Sequence, residues 1–160
     1  MRKRSKYRPK PMRADNVNYV LSGLKLLDDT SEGVVLRIKN HDALNSIRKG
    51  EGTRDDIDKI IAAFNMTEAL ACMGIGADWL PEIKEAQDAL LTLARRGVEK
   101  DYRFILTGPE LQAMNQCMEI HDAQLEVATI QQLEQAMDIV NKIIAQRKAR
   151  PIIQRSKESA

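Results

Sequence analysis

Apolar positions recur along the chain at helical spacing. Val17, Val20, Leu21, Leu24 and Leu27 share one face of a helix over residues 14–27, which Asp28 to Ser31 interrupt. Val34, Ile38, Leu44 and Ile47 mark a second helix over 31–49, stopped by Gly50, Glu51 and Gly52. Thr53 is a good N-cap for a third, whose first turn holds Asp55, Asp56 and Asp58 at the positive end of the helix dipole. Its apolar positions, Ile57, Ile60, Ile61, Phe64, Leu70 and Ala71, run inward until Gly74 and Gly76.

The next stripe, Ile83, Ala86, Leu90 and Leu93, predicts a helix that opens near Pro81 and ends at Arg96, with Gly97 as its stop. Tyr102, Phe104 and Ile105 alternate with Arg103 as a short strand would, and residues 98–106 are expected to be an extended connection. Thr107, Pro109 and Glu110 then combine an N-cap, a first-turn proline and a capping-box acid. Leu111, Met114, Met118, His121 and Leu125 follow at 3-4-3-4 spacing, and Ile130, Leu133, Met137, Val140 and Ile144 repeat it. The step of five between the two stripes, with Thr129 and Gln132 as a further capping box, predicts a break at 127–129. Pro151 ends the last helix or lies just past it.

The expected fold is an all-α bundle of about five to six antiparallel helices over residues 14–147. A flexible basic arm precedes it at 1–13 and a flexible basic tail follows at 148–160. Stripes of 3-4 spacing also suit an intermolecular seam, so the last two helices are where a homo-oligomer contact is expected.

Charge changes this picture. The 160 residues hold 25 Lys plus Arg against 23 Asp plus Glu, a net +2 that conceals segregation. Residues 1–13 carry seven basic side chains, Arg2, Lys3, Arg4, Lys6, Arg8, Lys10 and Arg13, and no acid. Residues 147–160 carry five against Glu158 alone. Removing the +7 and +4 of these ends from the total leaves residues 14–146 at −9. The chain is an acidic body with basic ends.

No run of about 18 or more apolar residues exists, which excludes a membrane-spanning helix. Tyr7, Pro9, Pro11, Asp15 and Asn16 stand where the apolar core of a signal peptide would be, so a cytoplasmic location is expected. Cys72 and Cys117 both fall in apolar helical patterns and read as buried thiols of a reducing compartment.

Cys117 and His121 are four apart on one helix, close enough to share a metal ion. His121 occupies a stripe position, however, and reads as a core histidine bonded to a neighbouring carbonyl or carboxylate; His41 reads as core by the same spacing. Gly74-Ile75-Gly76 is a helix C-cap and turn, since a phosphate loop would need a third glycine and a preceding strand. The acids at 55–58 and at Glu82 and Glu85 sit at helix starts, where carboxylates are expected anyway. Trp79 reads as a staple to the core. No coherent set of acid, base and nucleophile emerges, so no enzyme, cofactor or metal is expected.

The arm is the sharpest feature. Its cations, interleaved with Tyr7, Pro9 and Pro11, have the composition of a phosphate-backbone contact, with Tyr7 available to stack on a base. Arg2, Lys3, Arg4, Lys6, Tyr7, Arg8, Lys10 and Arg13 are therefore the candidate contacts to DNA or RNA. The bland alternative is a solvated tail, or one folded back on the acidic body.

From MRKRSKYRPKP through KNHDALNSIRKGEGTRDDIDKIIAAFNMTEALA to LTGPELQAMNQCMEIHDAQL, the sequence resembles a group of small uncharacterised proteins encoded by bacteriophages and prophages of proteobacteria. That resemblance implies a bacterial host cytoplasm and an accessory phage role; it carries over no activity and no site residues. Two functions follow as expectations. The first is an accessory protein, helical and oligomeric, that contacts nucleic acid non-specifically through its basic tails. The second is an interaction module that binds or inhibits a host protein through its acidic body.

Overall fold

The computed structural model describes residues 31–146 and 148–152. The expected helix over 14–27 and the whole basic arm lie outside the described residues. Within them the chain forms five α-helices: α1 (Ser31–Arg48), α2 (Arg54–Cys72), α3 (Leu80–Glu99), α4 (Gly108–Val127) and α5 (Ile130–Ala145). A single 3-10 turn, Ala77–Trp79, leads into α3, and no strand occurs among the described residues. The all-α bundle is as expected. No helix among the described residues is long and apolar enough to cross a membrane.

Capping explains where the helices begin. Thr53, Thr107 and Thr129 each accept from the amide three residues on, and Asp56, Glu110 and Gln132 reach back to the cap backbone. These three reciprocal boxes satisfy amides that have no intrahelical partner. The connection between α4 and α5 is the break expected at 127–129.

Helix α2 is the hub, touching α1, α3, α4 and α5. The main core joins Ile57, Ile60 and Phe64 of α2 to Leu44 and Ile47 of α1, Ile83, Leu90 and Leu93 of α3, and Met114, Cys117 and Met118 of α4. A smaller core joins Ala69 and Leu70 of α2 to Ala128 and Ala136, with Met66, Met73, Ile139 and Val140 packed around them. Antiparallel neighbours are confirmed by side-chain pairs. His41 and Arg37 of α1 meet Asp122 and Glu126 of α4, while Lys84 of α3 meets Glu68 of α2 and Gln87 reaches back to Asn65 and the Phe64 carbonyl.

Several local expectations are corrected. On α1 the buried face is Gly33, Asn40, Ala43, Leu44 and Ile47, while Val34 and Ile38 are exposed. The two apolar halves of that helix are out of phase, and the C-terminal half follows the core. His41 therefore lies outside the core, exposed, with Nε2 2.6 Å from Asp122 Oδ2. Cys72 is exposed at the end of α2, so only Cys117 is a buried thiol.

Gly97 does not stop α3, which continues to Glu99. Its missing side chain makes room for Phe104: a Cβ there would fall 2.3 Å from two ring carbons. The turn that follows has positive φ at Asp101 (53°) and Tyr102 (61°), and it swings Phe104 back over Gly97. Arg96 holds the same corner. Its guanidinium donates to both carboxylate oxygens of Glu110 at 2.8 and 2.7 Å and to the Ile105 carbonyl at 2.7 Å. That fork keeps the Glu110 carboxyl below its ordinary range and raises Arg96 further.

Residues 148–152 run back along α3. Arg150 pairs with Asp88, Arg95 donates to the Pro151 carbonyl at 3.0 Å, and Ile152 packs on the main core. The first residues of the expected tail are thus attached to the bundle.

A candidate interaction groove on the acidic side

Residues 104–141 contain Glu110, Glu119, Asp122, Glu126, Glu134 and Asp138 and no Lys or Arg. This interval covers all of α4 and most of α5. Glu110 is taken up by Arg96, while Asp122 and Glu126 face His41 and Arg37 of α1. Glu119, Glu134 and Asp138 are exposed and make no ion pair among the described residues. The negative charge of the body is therefore concentrated on α4 and α5.

A groove of about 350 Å³ opens beside α4, between it and the turn that joins α2 to α3. The turn's shape follows from its sequence. Helix α2 closes in a Schellman motif: the Gly74 amide donates to Ala71 and the Ile75 amide to Leu70, both at 3.0 Å, with Gly74 at φ 97°. Gly76, at φ 81°, then turns the chain into the 3-10 segment, and the Trp79 amide donates to the Gly76 carbonyl. Both glycines occupy the left-handed region that a side chain disfavours.

This double turn carries Ile75 and Trp79 to one wall of the groove. Trp79 is not the core staple that its place before α3 suggested; it is 48% exposed. The other wall is the outer face of α4, with Glu119, Ile120 and Val127. Gln124 lies at the base, only 3% exposed. Its Nε2 donates to the Thr67 carbonyl at 3.0 Å and the Ile75 carbonyl at 2.7 Å, which fixes the orientation of the amide. Its Oε1 is buried without a hydrogen-bond partner among the described residues. A Cβ on Gly76 would come within 3.3 Å of Gln124 Nε2, so glycine here leaves room for the amide as well as for the turn.

Behind the groove wall lies a buried polar cluster. His121 Nδ1 is 2.8 Å from Thr67 Oγ1, and Nε2 is 3.2 Å from Asn40 Nδ2. The Thr67 hydroxyl donates to the Ala63 carbonyl at 2.9 Å, so it accepts from the ring. The Asn40 amide can only donate to Nε2. Both contacts are met by one neutral tautomer, protonated on Nδ1. Burial depresses the His121 pKa to about 4, with Arg37 and His41 adding to the effect and Asp122 opposing it. His121 is thus the core histidine that its stripe position suggested, bonded to an amide and a hydroxyl and not to a carbonyl or carboxylate.

Burial likewise pushes the Cys117 thiol up to about 12, which leaves it unreactive near neutral pH. No group of three or more His, Cys, Asp or Glu side chains is placed to hold a metal ion among the described residues.

A second cleft, of about 490 Å³, lies between α2, α3 and the C-terminal half of α5 and is edged by the attached tail. Its main polar groups are already paired: although burial opposes it, hydrogen bonds from Lys84 and Gln87 hold the Glu68 carboxyl below its usual range.

The eight candidate contacts on the arm, Arg2, Lys3, Arg4, Lys6, Tyr7, Arg8, Lys10 and Arg13, lie outside the described residues. The groove residues were not singled out from sequence, apart from Trp79 and, as a turn, Ile75 and Gly76. The stretch from 104 to 141 without a cation was the available signal. No protein-family model, no curated protein and no solved structure matches this chain.

Proposed function

We propose that the helical body is a protein-interaction module whose acidic α4–α5 side receives a basic segment of a partner protein. The observation that carries this reading is the cation-free interval 104–141, whose helix α4 forms one wall of a groove that has an exposed tryptophan on the other. Carboxylates attract a basic partner and orient it, while indole and aliphatic surface supply the burial that holds it. Aromatic side chains at the centre of a patch are the usual anchors of such contacts.

The test compares capture from a bacterial cytoplasmic extract by the full chain and by a variant with Glu119, Glu126, Glu134 and Asp138 changed to Lys. A basic protein retained by the native chain, released by salt and absent from the variant is the expected result. Identical captures by the two chains would overturn the reading.

A second reading rests on the seven cations and absent acids of residues 1–13. In it the arm contacts nucleic acid backbones without sequence preference, alongside the body's own partner. Each phosphate contact contributes about −0.9 to the slope of log affinity against log salt for duplex DNA. A chain whose seven arm cations are changed to Gln should lose both the affinity and that slope. Unchanged DNA binding by this variant would exclude the arm as the contact.

A further inference from the structure

We infer that the Trp79 groove is a seat for one arginine side chain of a basic partner, stacked on the indole, with its guanidinium paired to the Glu119 carboxylate. This deepens the interaction reading above and rests on it. Two features of the groove select that group.

The first is charge. Glu119 lines the groove, and among the described residues no lysine or arginine does. The second is the wall itself. An indole face attracts a cation, and Ile75, Ile120 and Val127 offer apolar surface to the methylene stem that carries it.

Guanidinium fits better than ammonium. It is planar, stacks on an aromatic face, and presents several donors at fixed angles, so one group can lie on the indole and still donate to the Glu119 carboxylate. An ammonium is a more strongly hydrated point charge that gains less from a half-exposed indole.

Trp79 is the sole tryptophan of the chain, so its emission reports on the groove directly. The full chain is titrated with hexa-arginine and with hexa-lysine, following Trp79 fluorescence and, separately, heat. A saturable change in emission, with hexa-arginine bound at least about threefold more tightly than hexa-lysine, is expected from the advantage of a stacked guanidinium. Ala123 is an exposed residue of the groove wall, and Ala123→Phe fills the groove without changing charge. This variant should bind hexa-arginine about tenfold more weakly by calorimetry, as expected for a lost stacking and hydrogen-bonding site. Trp79→Leu, which keeps the apolar wall, should also weaken it, and circular dichroism verifies that both variants fold.

Heat of binding with no change in Trp79 emission, or undiminished affinity in both variants, overturns the arginine seat and leaves the acidic-surface reading intact. Failure of hexa-arginine to bind at all at low salt overturns both.

Discussion

Helices α4 and α5 begin alike and end up at different depths. Each opens with a threonine capping box, and each carries apolar residues at 3-4-3-4 spacing. In α4 the stripe is core: Met114, Met118, His121 and Leu125 are all buried, against α1, α2 and α3. In α5 only Ala136 is fully buried, and Met137, Ile143 and Ile144 remain exposed. The reason is the number of neighbours. Helix α4 lies among three others, whereas α5 packs chiefly on α2 and turns part of its stripe to one side of that contact. Spacing says which residues share a face. How deep that face lies depends on how many elements meet there.

Replacing the same residue in each stripe gives the largest expected contrast. Met118 is 1% exposed and Met137 is 48% exposed. Met118→Ala empties a packed site and should cost roughly 3 kcal/mol, within the usual range for a buried methionine. Met137→Ala should cost less than about 1 kcal/mol, because most of its surface is already in water. Urea denaturation of the two variants checks this. A large loss at Met137 would mean that a second copy of the chain covers the α5 stripe, the homo-oligomer seam expected from its spacing. Light scattering on the same samples would then show the dimer and its dissociation in the variant.

What could be read from sequence divides along the same line. Helix starts were legible because a capping box is a local chemical pattern, and Thr53, Thr107 and Thr129 all cap as expected. The core of α2, α3 and α4 was legible because their stripes are long and in phase. The errors fall where tertiary packing overrides a local rule. Gly97 looked like a stop, but it is a gap filled by Phe104. Val34 and Ile38 looked like core, but the phase of α1 is set by its C-terminal half. Trp79 looked like a staple, but two left-handed glycines turn it outward. The groove needed two segments distant in sequence, the 75–79 turn and α4 from Gln116 to Val127, and no spacing rule joins them.

Acid should also separate the two helices, by a somewhat smaller amount. His121 sits in the α4 stripe with its pKa depressed to about 4, whereas the α5 stripe carries no titratable group. A group whose folded value lies below its unfolded one, near 6.5, contributes fully above pH 6.5 and loses that contribution as pH falls towards 4. The shift corresponds to roughly 3 kcal/mol at most. Because Glu110 and Glu68 also weaken the fold as they protonate at lower pH, the imidazole should be followed alone. Its proton resonances are expected to stay fixed from pH 7.5 to about 5. A midpoint near 6.5 would show that His121 reaches water and that the Asn40–His121–Thr67 cluster is open.

The smallest effect compares the two caps. Thr107→Ala and Thr129→Ala each remove the oxygen that accepts from the third amide of the helix, a loss of about 1 kcal/mol in either place. Where that loss registers should differ. The Thr107 box is tied to the rest of the bundle through the fork from Arg96 to Glu110, so α4 does not open alone, and the variant should lose about 1 kcal/mol of global stability. The Thr129 box has no comparable fork among the described residues, and the packing of α5 on α2 is shallow. Its variant should unfold globally at nearly the native denaturant midpoint, while amide exchange across α5 accelerates about fivefold. Equal global losses from the two variants would place α5 in the same cooperative unit as α4. The exposed Met137, Ile143 and Ile144 would then belong to a helix held as firmly as the core.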